Sequence, residues 1–268
     1  MSTNIVVPVK YVPDAQKQRT FRDDLTVDRT DSILSELDEY PLEAALALRE
    51  AAPEAEVSIV AVTIGPEAAS GAVKKALQMG ADAAFHVADD ALAGSDALGT
   101  AAALAAVIRH VGEEHGGVDL VLTGLASTDG EMSVMPAMLA EHLDFALVTR
   151  ADGIAWVEGT TGLALTRPGA DATQTVAVSF PAVVSVTDQA NEPRYPNFKA
   201  IMAAKKKPSA VLTLADIGVD PASVGRDAAA ASVRSASERP PREAGTVVHD
   251  DGEAGTALAD FLAQNRLL

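Results

Sequence analysis

The chain has no cysteine among its 268 residues. That removes disulfides, thiol nucleophiles and cysteine-held iron–sulfur clusters, so any redox work falls to an organic cofactor. It also lacks a run of eighteen apolar residues: the best candidate, 100–108, stops at Arg109, and no membrane insertion is expected. The N-terminus, Met-Ser-Thr-Asn, enters apolar residues 5–7 without a charged leader or an apolar signal core, and a cytoplasmic protein is expected. The five histidines, at 86, 110, 115, 142 and 249, show no paired ligand spacing, so no metal site is expected. Neither GxGxxG nor GxxxxGK[ST] occurs, nor the Ser-Gly-Gly-x-Asp-Ser loop of ATP pyrophosphatases, which argues against a dehydrogenase, a P-loop NTPase and an adenylating enzyme together. Positive charge is scarce. With 21 basic against 38 acidic residues the formal charge is −17, which repels nucleic acid and anionic membrane. Such a surface suits a high-salt cytoplasm, where screening shortens self-repulsion to a few ångströms; an ordinary acidic soluble surface is the alternative.

What is present is a rhythm. Apolar runs at 5–9, 57–63, 83–87 and 120–123 are bounded by turn residues and read as buried parallel strands. Helical patterns lie between them, at 41–51, at 66–79 closed by Gly80, and at 96–114 after a candidate Ser95 cap and before Gly116. Strands alternating with helices of this length predict βαβ crossovers and a doubly wound, Rossmann-like parallel sheet in an α/β fold. After about Phe145 the pattern changes: 153–158 and 162–167 flank a Gly-Thr-Thr-Gly turn and read as an antiparallel hairpin, which 174–178 extends. Residues 181–186 return to a continuous apolar run and rejoin the main sheet. Residues 1–207 thus form a nucleotide-binding α/β domain. Residues 208–268, rich in Pro, Ser and Ala with Arg-Pro-Pro-Arg at 239–242, read as an extended arm ending in an amphipathic helix at 253–265 with Leu258, Phe261 and Leu262 on one face.

An open parallel sheet binds ligands at the carboxyl ends of its strands, where strand order reverses. The richest such segment is 121–140, a strand, a loop of small residues and a helix whose free N–H groups suit a phosphate, although an ordinary βα loop has the same composition. The most unusual stretch is 189–208. Pro193 and Pro196 forbid a regular element and predict an ordered surface loop over 191–197. A short Ala-rich helix follows, with Lys205, Lys206 and Lys207 in its last turn.

The run Asn191-Glu192-Pro193-Arg194-Tyr195, followed by Ile201-Met202, Ala204 and the three lysines, resembles the signature of the electron transfer flavoprotein beta subunit, and the resemblance extends from Ile5 to the C-terminal helix. In that family the loop recognises partner dehydrogenases. The resemblance therefore implies partner recognition by Asn191, Glu192, Pro193, Arg194, Tyr195, Phe198, Ile201 and Met202, with Phe198 in the place of a protruding leucine. It also implies that 119–140 is an adenine-nucleotide loop, built from Gly124, Leu125, Ala126, Ser127, Thr128, Asp129, Gly130, Glu131, Met132, Ser133, Val134 and Met135. Further contacts fall on Pro8, on Ser35, Glu36, Leu37 and Asp38, and on Ile64. The chain departs from the family at Met132, Val134 and Pro136, where many members have Thr, Gln and Gly, and at Ser35, where Asn is usual; Ser133 is left as the clearest side-chain donor.

The resemblance further implies an electron carrier with no catalytic acid, base or nucleophile. It implies FAD held mainly on an alpha subunit, a structural AMP in this chain, and an arm that packs on the alpha subunit. Electrons would pass from acyl-CoA or related dehydrogenases toward a quinone oxidoreductase. Bifurcating relatives hold a second FAD in place of AMP, and Tyr-Pro-Asn-Phe-Lys leans toward them. A stand-alone nucleotide-binding module of the universal-stress type is the competing reading, and it has no use for the signature loop.

Overall fold

The computed structural model describes residues 2–237, 240–242, 245–250 and 252–268. Its elements run β1 (Ser2–Pro8), β2 (Tyr11–Pro13), β3 (Ser32–Leu34), α1 (Glu39–Ala51), β4 (Glu56–Ile64), α2 (Ser70–Met79), β5 (Ala83–Val87), α3 (Ala97–His115), β6 (Leu120–Gly124), α4 (Met135–Leu143), β7 (Ala146–Ala151), β8 (Gly153–Trp156), β9 (Gly162–Pro168), β10 (Thr173–Ser179), β11 (Ala182–Val186), α5 (Phe198–Ala204), β12 (Ser209–Leu212), α6 (Gly225–Ala228) and α7 (Ala254–Gln264). A short 3-10 turn at Glu36–Asp38 leads into α1.

Seven strands form one sheet in the order β12-β5-β4-β1-β6-β11-β7, and every pairing in it is parallel. The central strands are apolar on both faces because helices cover both. Ile5, Val7, Ile59, Ala61 and Leu122 face a core shared with α1, α2 and β9. Val6, Val60, Val62 and Val121 face one shared with α3 and α4. Strands β8, β9 and β10 form an antiparallel sheet that buries Leu163 and Leu165, and Trp156 fixes it to α1 by donating to the carbonyl of Leu48 at 2.8 Å. After β1 the chain builds outward through β4 and β5, then returns to place β6 on the other side of β1. The reversal puts the topological switch point between the carboxyl ends of β1 and β6.

The α/β class, the parallel sheet and the small antiparallel hairpin match the reading of the sequence. Several local expectations change. Helix α3 is capped by Asp96, whose carboxylate accepts from Gly99 N at 3.0 Å, while the Ser95 hydroxyl accepts from Gly225 N at 2.7 Å. The lysines at 205–207 lie beyond α5, which ends at Ala204. Lys207 instead reaches the C-terminal end of α2, donating to the carbonyls of Leu77 at 3.1 Å and Ala81 at 2.5 Å. The chain also does not leave the domain at Pro208. Ser209–Leu212 adds the edge strand β12 beside β5, and Leu214 and Val224 are buried, because the alternating apolar residues after Pro208 satisfy an otherwise open sheet edge.

By contact density the chain divides into Met1–Arg234 and Ser235–Leu268. The second unit contains α7, on which Leu258 and Phe261 are exposed. Within the Arg-Pro-Pro-Arg run, Arg239 lies outside the described residues. No described helix is long and apolar enough to cross a membrane.

Candidate functional site

The switch point is assembled from segments far apart in sequence. Lys10, just past β1, accepts Ser35 N on its carbonyl at 2.9 Å and donates its own N–H to Asp38 Oδ2 at 2.7 Å. The 35–38 turn is thereby stitched to the end of β1. It also lies against the end of β6: a Cβ built on Gly124 would fall 2.3 Å from the carbonyl oxygen of Leu37. Ser35, Glu36, Leu37 and Asp38 are therefore brought beside Gly124 at the switch point, next to the loop that follows it. Pro8 ends β1 beside them, and Ile64 ends the neighbouring β4.

The loop from Leu125 to Val134 is fixed by a small charged network. Lys10 Nζ donates to Asp129 Oδ1 at 2.9 Å and to Ser127 Oγ at 3.3 Å. Arg29 donates to Asp129 Oδ2 at 2.6 Å and to the carbonyl of Tyr11 at 2.8 Å. Burial on its own pushes the Asp129 carboxyl up, but the ammonium of Lys10 and the hydrogen bonds from Lys10, Ser127 and Arg29 outweigh it and hold the group well below the usual carboxylate range. The backbone then turns through the left-handed region at Glu131 (φ 50°) and Ser133 (φ 54°), a conformation that non-glycine residues pay for and that clusters at binding sites. Met132 is 62% exposed. Helix α4 opens at Met135 with no side-chain cap, and its second residue, Pro136, has no N–H, so its first turn offers one backbone donor fewer than usual.

Two hydroxyls at the crevice are unsatisfied: Ser35 Oγ and Thr123 Oγ1 are buried with no hydrogen-bond partner. Buried polar atoms are nearly always paired, so an orphan here points to a missing acceptor or donor. Lys10, Arg29 and Thr123 were not among the residues expected from sequence. Lys10 had a legible signal, a cation at the carboxyl end of the first strand, whereas Arg29 lies in a polar loop with no local pattern.

Asp38 is buried, and burial pushes its carboxyl up to about 7. The Lys10 N–H and ammonium oppose this, and Asp129 adds to it. Because the folded-state value lies above the ordinary 3.8, the native state holds a proton that the unfolded chain has lost between those values. Stability therefore falls as pH rises from about 4 to about 7 and is flat above. Asp38→Asn removes this slope. Urea titrations at pH 5 and pH 8 are expected to show the variant gaining on the native protein by on the order of a few kcal/mol at the higher pH; equal differences at both values would refute the burial argument.

The signature loop sits on α1. Asn191 Nδ2 donates to the carbonyl of Tyr40 at 3.0 Å. Arg194 is bound by Glu43 through its backbone N–H (3.0 Å), Nε (2.8 Å) and Nη2 (2.7 Å), and by Glu50 through Nη1 (2.6 Å) and Nη2 (3.2 Å). Asn197 caps α5 by accepting from Ala200 N at 2.9 Å. Between these fixed points the loop presents Tyr195, 91% exposed with Lys75 Nζ 5.3 Å from its ring centroid, and Phe198, 78% exposed. Met202 is also exposed, Glu192 faces solvent, and Pro193 and Ile201 are half-buried. Six of the eight lysines, at 74, 75, 199, 205, 206 and 207, lie on α2 or on and just after α5, and these two helices pack together.

An electron transfer flavoprotein domain matches residues 24–217. Electron transfer flavoprotein subunit beta of Mycobacterium tuberculosis is 41% identical over 99% of this chain and 100% of its own length. The chain belongs to the electron transfer flavoprotein beta-subunit family. Within that family it is also similar to subunit CarD of a caffeyl-CoA reductase-Etf complex from Acetobacterium woodii, at 31% identity over 91% of each chain. Protein FixA of Azorhizobium caulinodans is 30% identical over 81% of this chain and 77% of its own length. Electron transfer is thus the general role of the family to which the chain belongs.

Proposed function

We propose that this chain is the smaller subunit of a heterodimeric electron transfer flavoprotein. In this reading it pairs with an FAD-bearing alpha subunit, holds an adenine nucleotide in its switch-point crevice, and receives electrons from acyl-CoA or related dehydrogenases for delivery toward a quinone oxidoreductase. The observation that carries the nucleotide reading is the buried, unpartnered Ser35 hydroxyl at a crevice closed by Gly124 and faced by Lys10 and Arg29. The residues fit such a ligand. Ser35 offers a hydroxyl to the sugar or base, and Ser133 with the start of α4 suits a phosphate. Met132, Val134 and Pro136 supply no side-chain donor, so phosphate recognition falls to backbone N–H groups and the two cations.

The flavin, when bound, supplies the one- and two-electron chemistry. This chain's residues position it and present the docking face. The exposed apolar side of α7, with Leu258 and Phe261, suits the alpha subunit as its cover. The low lysine content and the charge of −17 favour a high-salt cytoplasm.

Co-expression with an alpha-subunit gene from the same organism is expected to give a yellow 1:1 complex. Acid extraction and mass analysis of that complex should release one FAD and one AMP. Two FAD and no AMP would establish the bifurcating reading instead, and one FAD with no second nucleotide would mean that Met132, Val134 and Pro136 have closed the site.

A further inference from the structure

We infer that Glu43 and Glu50 of α1 are positioning residues for partner docking, acting through Arg194 to hold Tyr195 and Phe198 out in water; this rests on the reading of 191–198 as the docking loop.

Apolar rings in water gain by folding onto the nearest apolar surface, and Ile201 and Ala190 lie close by in the chain. Phe198 is nevertheless 78% exposed and Tyr195 91%. What opposes collapse is local and specific. Glu43 and Glu50 are seven residues apart, two turns along one face of α1, and Arg194 fits between them with five hydrogen bonds. One bond comes from the Arg194 backbone N–H, so Glu43 fixes the main chain immediately before Tyr195 as well as the side chain. Asn191 holds the loop three residues earlier, the Asn197 cap holds it three residues later, and Pro193 and Pro196 remove freedom between. A loop fixed in this way has little ordering entropy left to lose when a partner binds. The Glu43 side chain is 11% exposed, so its charge is desolvated at all times and is compensated by the guanidinium whether or not a partner is present. Four of the five guanidinium N–H groups are engaged within the molecule: Arg194 orients the loop, and the neighbouring rings make the contact. A lysine cannot replace it, because a single ammonium cannot span two carboxylates in a plane.

The test uses the intact heterodimer and two readouts. Trypsin needs a free arginine side chain, so the bond after Arg194 should resist cleavage in the native protein. In Glu43→Gln/Glu50→Gln, and more mildly in Glu50→Gln alone, where the altered group is exposed, the fragment beginning at Tyr195 should appear at least about tenfold faster by mass spectrometry. With an acyl-CoA dehydrogenase reduced by butyryl-CoA as donor, the same variants and Arg194→Lys should raise the half-saturating donor concentration about tenfold while leaving the limiting rate of flavin reduction unchanged. A merely structural role would move the melting temperature and not this ratio. Unchanged cleavage overturns the inference. So does a released loop with unchanged half-saturation, provided Phe198→Ala still weakens the donor reaction, since docking then stands without the clamp. If Phe198→Ala is also silent, the docking reading itself fails and takes the inference with it.

Discussion

Gly124→Ala is expected to destabilise the protein by about 3 kcal/mol or more and to abolish the adenine-nucleotide binding proposed for the switch point. The new Cβ would lie 2.3 Å from the carbonyl oxygen of Leu37, 3.0 Å from its carbonyl carbon and 3.1 Å from Asp38 Oδ1. The two nearest atoms are backbone, and the third belongs to a buried carboxylate whose other oxygen accepts from Lys10 N. Leu37 belongs to the turn that Lys10 holds through two hydrogen bonds, and Gly124 ends a strand paired on both sides, with β1 and β11. The collision is relieved only by moving the 35–38 turn away from β6, which opens the crevice and exposes Ser35 and Asp38. For a chain of this size the penalty corresponds to roughly 6–12 °C in melting temperature. A shift under about 2 °C in a calorimetric scan, or a normal nucleotide content after extraction, would show that the turn can yield and that the close approach has no functional role.

Phe198→Ala is expected to have the second largest effect, and on association alone. A central aromatic anchor is worth roughly 2 kcal/mol or more, about thirtyfold in affinity. At 78% exposure the ring contributes little to the fold. The half-saturating concentration of an electron-donating dehydrogenase should therefore rise about thirtyfold, with flavin content and melting temperature unchanged. Lost stability without a kinetic change would place Phe198 in the local core and end its role as an anchor.

The parts of this molecule that were legible in the sequence are those whose pattern is local. The strands 83–87 and 120–123 announce themselves as apolar runs between turn residues, and Gly80 and Gly116 mark the helix ends where φ is positive. Strands of three or four residues, β2, β3 and β12, are too short to show a period. Strand β7 was missed because an edge strand with exposed Ala146 and Leu147 does not read as buried. The crevice was half legible. Gly124 and the 35–38 turn were each identifiable, but the charges that bind the loop come from Lys10 and Arg29, 119 and 100 residues from Asp129. The Glu43–Arg194 contact spans 151 residues. Neither is encoded by spacing; both follow from which strand lies beside which.

The gathering of six lysines on α2 and α5 has a consequence for motion rather than for contact. They are six of the 21 basic residues of a chain of net charge −17, so α2 and α5 carry a local concentration of positive charge. An acidic partner would feel that concentration only within a Debye length, about 8 Å in physiological salt and about 3 Å at molar salt. Attraction of this kind acts on how often productive collisions occur and little on how long a pair survives, so added salt would slow association first.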